Sequence, residues 1–478
     1  MLRTFLISFL ISLTLSSFSQ NRSFETFIAD SSMLHASVSF CVADADNGII
    51  SVEYNSLKSL VPASVMKLIT SAAALELLGP DYTFKTTLGY SGSIKKSGKL
   101  TGNILIKGGG DPTLGSNNFP DYNKDFVLNW GSEIRKQGIS KIEGRVLTDD
   151  SYFDYLPVPQ KWLLEDVGNY YGAGVYGLSV YDNTYEIHLK TTADSSKPVI
   201  TGIFPEECRS DIENLLIAYG TNEKGYVFSS PYITAAWLAG SVPANKEDYM
   251  LKASVPDPPL LMAKILDKEL RSDGIKIKHD PSTVRLQPDY TSTDFMPLVD
   301  IMSPPLSEII EVLNHESINL YAEHLTKELG KRFKGIGSTA AGIEVIKDFL
   351  KSAGIKTDGF NMEDGSGLSP SNSINSRTLV DLLIYMKKNG KHFPEFFASL
   401  PDAGTEGTLK TYFTDQIFAS RLWAKSGSMT RVRSYAGYFT TVSGKNMAFS
   451  IIVNNFDGPS RNIVSGIEGI LKEIINSN

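Results

Sequence analysis

A block of about 200 residues with strand-and-turn texture separates two sets of helical signals, and this interruption constrains the fold more than any other feature of the chain. From Phe84 to Leu286, short apolar runs alternate with glycine-rich turns, as in TTLGYSGSIKKSGKLTGNILIKGGGDPTL and in Tyr185-Glu186-Ile187-His188-Leu189; a turn-rich stretch ends in VPDPP at Pro256 to Pro259. Before the block, His35 to Asn55 reads as a hairpin about Asn47-Gly48. LVPASVMKLITSAAALELLG follows, a helix opened by Pro62 and stopped by Gly79-Pro80, with Leu68, Ala72, Leu75 and Leu78 on one apolar face. After the block come LSEIIEVLNHESINLYAEHLTKELG and TLVDLLIYMKKNG, both helical. Strand-like RLWAKSGSM and SYAGYFTTVSGKNMAFSIIVNN lead to an amphipathic last helix, NIVSGIEGILKEIIN, expected to pack on a sheet. The simplest architecture is one α/β (α+β) domain split in sequence, carrying a large β-rich insertion.

The length, 478 residues, allows two or three domains, and 42% hydrophobic residues are ample for large cores. A net charge of −7 without a Lys/Arg block speaks against a nucleic-acid partner. Arg3, the apolar run Phe5 to Leu15 and the small residues that follow have the layout of a cleavable export signal, residues 1–19. No later run of about 20 apolar residues follows, so no integral membrane segment is expected after cleavage. The expected location is therefore exported and periplasmic, either soluble or loosely associated with wall or membrane. Cys41 lies in a predicted strand, and Cys208 could in principle pair with it. The six histidines have no metal-ligand spacing, so neither a metal nor another cofactor is expected.

Three short motifs occur in order: Ser64-Val-Met-Lys67, Ser317-Ile-Asn319 and Lys425-Ser426-Gly427. Each is weak alone, and a second S-x-x-K at Ser93 to Lys96, in a Gly/Lys-rich turn, shows how cheap the pattern is. Ser64 differs because it sits at a helix start, where Lys67 one turn on can reach its hydroxyl. A serine needs such a base to become a nucleophile, and a lysine can serve if burial or a neighbouring cation such as Lys425 lowers its pKa. Ser317 can pass a proton to a leaving nitrogen. Asn319 can hold a substrate amide. Lys425 with the Ser426 and Ser428 hydroxyls suits a carboxylate, the Ser64 and Ser428 N–H groups suit an oxyanion, and Gly427 lets a ligand backbone lie close.

These motifs resemble the S-x-x-K, S-D-N and K-T-G signature of penicillin-binding proteins. The chain resembles the low-molecular-mass class C penicillin-binding proteins, the D-Ala-D-Ala carboxypeptidase/endopeptidase family. PASVMKLIT (Pro62 to Thr70), GKLTGNILIKGGGDPTL (Gly98 to Leu114), DGSGLSPSN (Asp364 to Asn372) and the gap of about 250 residues between Ser64 and Ser317 carry that resemblance along nearly the whole chain. It implies a penicilloyl serine transferase (β-lactamase/transpeptidase-like) catalytic domain at 20–85 and 290–478, with 86–289 inserted as two subdomains. It also implies an acyl-enzyme on Ser64, peptidoglycan peptides as substrate and β-lactam antibiotics as covalent inhibitors. The usual Lys-Thr-Gly is here Lys425-Ser426-Gly427. Trp162 and Asp166 fit the spacing of an insertion aspartate that meets a substrate amine in some members; a helix-surface aspartate fits equally. A β-lactamase or esterase on the same scaffold, and a non-catalytic wall-binding module, are the alternatives.

Overall fold

A computed structural model describes residues 22–208, 211–290 and 294–477. The expected export signal, residues 1–19, lies outside the described residues. The chain forms two compact units: Met1–Pro80 with Ile310–Ile318 and Ile343–Asn478, and Asp81–Ile309 with Asn319–Gly342.

The first unit is built on a five-stranded antiparallel sheet in the order Leu422–Met429, Val432–Thr440, Asn446–Asn454, Ser37–Asp44, Ile50–Tyr54. Strand Ser37–Asp44 is inside the sheet and buried on both faces, whereas Ile50–Tyr54, at the edge, keeps the alternation of a half-buried strand. The Asn47-Gly48 turn joins them, with Gly48 at φ +81°. The last helix, Ser460–Ser477, lays Ile463, Val464, Ile467, Ile470, Leu471 and Ile474 in one core with Phe40, Phe449, Ile451 and Val453 of the sheet. Its amphipathic stripe is therefore spent on packing. Helix Ser376–Asn389, capped by the Asn375 side chain on the Thr378 N–H, also packs on the sheet.

In the second unit a five-stranded sheet (Ser282–Thr283, Val146–Asp149, Ile104–Lys107, Lys85–Tyr90, Met296–Met302) accompanies three-stranded sheets. Leu88, Ile106, Trp130, Ile187, Leu216, Leu238 and Leu266 belong to its buried core. The VPDPP stretch is not a plain turn. Asp257 accepts the Leu260 N–H and caps helix Pro258–Ser272, whose first turn needs no N–H from its prolines.

Helix Asn319–Lys334 groups with Asp81–Ile309. The reason is polar: its buried side chains find their partners there. Tyr321 donates to Asp182 (2.8 Å), Lys327 donates to Asp154 (2.6 Å), and His324 bonds the Gly110 carbonyl (2.9 Å) and the Ser179 hydroxyl (3.0 Å). Burial holds the His324 imidazole down to about 3 from its ordinary 6.5. A histidine kept neutral in the fold but free to charge when unfolded contributes stability above pH 6.5, and that stability is lost as pH falls toward 3. The melting temperature of wild type should therefore drop relative to His324→Gln between pH 7 and pH 4. A constant difference would contradict this.

Cys41 and Cys208 are both unbonded thiols. Among the described residues, no helix is long and apolar enough to span a membrane and no cluster of His, Cys, Asp and Glu is placed to hold a metal.

Candidate active site

Ser64 does not begin a regular α-helix. It lies in a 3₁₀ turn, Ala63–Met66, that runs into the α-helix Lys67–Leu78. The cause is Ala63, at φ +50°, a left-handed conformation costing an alanine about 1–2 kcal/mol. The surrounding structure fixes it. Ser434 Oγ donates to the Pro62 carbonyl, and Asn454 bonds both the N–H (2.8 Å) and the carbonyl (3.0 Å) of Val61. Strain held in this way next to a nucleophile candidate fits a pre-organised site.

Lys67 is wholly buried. Its Nζ is 2.9 Å from Ser64 Oγ and 2.8 Å from the Ser366 carbonyl. That carbonyl belongs to the DGSGLSPSN loop, for which the sequence suggested no role. Asp364 shapes the loop from inside, accepting the Gly367 N–H (2.7 Å), the Ser369 N–H (2.6 Å) and the Asn372 amide (2.8 Å). Thr70, one turn beyond Lys67, donates to the Gly365 carbonyl at 2.7 Å. The loop is thus a brace that aims a carbonyl at the lysine amine.

Ser317 was expected within a continuous helix. Instead it breaks the helical run at φ +58°, between Leu306–Glu316 and Asn319–Lys334. Lys425 Nζ donates to Ser317 Oγ (2.9 Å) and to the Ser426 carbonyl (2.9 Å). Lys425 is wholly buried; burial first, and the Lys67 charge second, push it well below the ordinary lysine range. Ser426 Oγ is 2.7 Å from Thr408 Oγ1, a partner the sequence gave no sign of. Strand Leu422–Met429 passes so close to the Ser64 turn that a Cβ on Gly427 would meet the Pro62 carbonyl at 2.8 Å and the Ser64 nitrogen at 3.0 Å. Gly427 is therefore required by protein packing, in addition to the ligand approach expected from sequence. Ser428, next along, is exposed.

Ser64, Lys67, Ser317, Lys425, Ser426, Gly427 and Ser428 thus all belong to the first unit. Asn319 and Asp166 belong to the second, where they converge on Tyr171. Asn319 Nδ2 donates to the Tyr171 carbonyl at 2.8 Å, and the Tyr171 hydroxyl bonds Asp166. Asp166 is only 8% exposed, so it is not a helix-surface residue. Burial foremost, then the Glu165 charge, raises its carboxyl above the ordinary range.

A hydroxyl beside a buried lysine amine, with a second lysine–hydroxyl pair in the same unit, can exchange protons in both directions of an acyl transfer. Comparisons with known proteins identify the family and the fold. Residues 20–474 match the D-Ala-D-Ala carboxypeptidase 3 (S13) family. A D-alanyl-D-alanine carboxypeptidase of Actinomadura sp. (strain R39) is 29% identical over 415 residues, 84% of this chain and 75% of that one. The crystal structure of penicillin binding protein 4 (dacB) from Haemophilus influenzae superimposes with a TM-score of 0.79 at 22% identity, covering 91% of this chain and 95% of that one. The same protein complexed with a β-lactam gives 0.74 at the same identity and coverage. The fold is the mixed α/β fold of these penicillin-binding proteins, and the chain belongs to the D-Ala-D-Ala carboxypeptidase 3 (S13) family of serine peptidases.

Proposed function

We propose that Ser64 is the nucleophile of a D-Ala-D-Ala carboxypeptidase and DD-endopeptidase acting on peptidoglycan stem peptides outside the cytoplasmic membrane, after removal of residues 1–19. Lys67 takes the Ser64 proton as Oγ attacks the penultimate D-Ala carbonyl. The Ser64 and Ser428 N–H groups receive the oxyanion. Ser317, held by Lys425, passes a proton to the leaving amine, and water then releases the acyl group from Ser64. Lys425, Ser426 and Ser428 hold the terminal carboxylate, with Gly427 allowing close approach. Asn319 holds a substrate amide, and Asp166 a free amine on the substrate side chain. β-Lactams, which mimic the substrate, acylate Ser64; the β-lactam complex of the H. influenzae relative supports this. The catalytic parts are assigned to 20–85 and 290–478.

The observation that carries this reading is the 2.9 Å approach of a wholly buried lysine amine to Ser64 Oγ. Mass spectrometry after incubation with cross-linked muropeptides tests it. Loss of one alanine and conversion of dimers to monomers are the expected products, at different masses. Unchanged muropeptides would defeat the reading.

A further inference from the structure

A terminal carboxylate brings a full negative charge to Lys425, Ser426 and Ser428, and none of these three offers it a fixed positive one. Lys425 Nζ already donates to Ser317 Oγ and to the Ser426 carbonyl, at 2.9 Å each, and burial holds the amine well below the ordinary lysine range. Ser426 Oγ donates its proton to Thr408 Oγ1 at 2.7 Å. Ser428, exposed near the end of the strand, is a neutral hydroxyl.

The sheet register puts a cation beside Ser428. Strand Leu422–Met429 pairs antiparallel with Val432–Thr440, and Arg433 lies directly opposite Ser428. Opposite residues in such a ladder send their side chains to the same face with Cβ atoms about 5 Å apart, within the reach of an arginine. Arg433 is half-buried and its contacts are neutral: Nε donates to Ser460 Oγ, and the guanidinium carbon is 5.8 Å from the centroid of the Tyr412 ring. Glu468, which shares the surroundings of Tyr435 with Arg433, instead accepts the Phe413 N–H at 2.6 Å. Among the described residues no carboxylate pairs with Arg433. A guanidinium carries five N–H donors in a planar fork that matches a carboxylate, and the Ser460 bond uses one of them. Unlike a buried lysine, it keeps its charge.

The geometry points to Arg433 as a specificity-determining residue, which supplies the positive charge for the substrate's terminal carboxylate from the strand beside Ser428. This rests on the reading that the carboxylate lies at Ser428, and deepens it: Arg433 selects the charge, while Lys425 serves Ser317.

The test uses diacetyl-L-Lys-D-Ala-D-Ala and its C-terminal carboxamide as substrates. Arg433→Gln removes the charge and keeps a polar side chain. Its kcat/KM for the carboxylate substrate should fall about 10- to 100-fold, mostly through KM, the size expected of a hydrogen bond to a charged group, with little change for the carboxamide. Arg433→Lys keeps the charge without the fork, so its preference for the carboxylate should lie between those of wild type and Arg433→Gln. The carboxamide is the internal control for folding: an equal loss on both substrates in either variant is a structural effect and overturns the proposal. An unchanged carboxylate preference in Arg433→Gln overturns it too. Ser428→Ala separates the two layers. Full carboxylate preference in Ser428→Ala sinks the underlying reading as well, whereas a lost preference there with an intact one in Arg433→Gln sinks the Arg433 role alone.

Discussion

Ser64→Ala should yield a folded protein that gains no mass with benzylpenicillin and releases D-Ala on the order of 10⁴-fold more slowly or worse, because the atom that forms the acyl bond is gone. Lys67→Ala keeps the nucleophile but removes the group 2.9 Å from it, so acylation should slow about 10²- to 10⁴-fold, the span of one general base. Combining the two should cost nothing beyond Ser64→Ala alone, since residues acting in one step are not additive. Lys67→Arg should be no better than alanine: a guanidinium does not give up its proton, and its planar fork does not match a site shaped to meet Ser64 Oγ and the Ser366 carbonyl. Intact-protein mass against time of exposure reads all four variants. Persistent labelling of Ser64→Ala would remove Ser64 as the nucleophile.

Gly427→Ala should damage the Ser64 turn directly. Its Cβ would be 3.0 Å from the Ser64 nitrogen and 2.8 Å from the Pro62 carbonyl, and would also strike the Ser434 hydroxyl that holds that carbonyl. Two of these neighbours are backbone and have little freedom to give way. The strand must move off the Ser64 turn, and a displacement approaching 1 Å at a reacting centre costs about 10²-fold. A fall of that order in kcat/KM and in the rate of penicillin acylation is expected. The Ser434–Pro62 bond that helps hold the left-handed Ala63 is loosened at the same time, so the melting temperature should fall with the activity. Near-wild-type acylation by Gly427→Ala would show that the strand and the Ser64 turn are not rigidly matched.

The sequence showed some of these features and hid others, for physical reasons. The Asn47-Gly48 hairpin, the apolar face behind Lys67 and the stripe of the last helix all follow from local periodicity and turn chemistry. Local pattern misled where it was read too smoothly. LSEIIEVLNHESINLYAEHLTKELG is periodic throughout, but Ser317 in the left-handed region cuts it in two. VPDPP looked like a turn because prolines break helices, but Asp257 followed by two prolines is also how a helix starts. Residues 319–342 carry a helix signal that says nothing about which core it joins; buried partners for Tyr321, His324 and Lys327 decide that.

Covalent order put forward Ser64, Lys67, Ser317, Asn319 and Lys425 as candidates, because each chemical role demands a residue type and the three motifs occur in order. Tertiary structure decided which atoms meet: the Ser366 carbonyl on Lys67, Asp364 behind it, Thr408 on Ser426 and Tyr171 between Asn319 and Asp166. Ser366 reaches Lys67 across 299 residues and Tyr171 reaches Asn319 across 148, each through a backbone carbonyl that every residue type possesses. A hydrogen bond made by a group common to all residues leaves no mark in the one-dimensional chain.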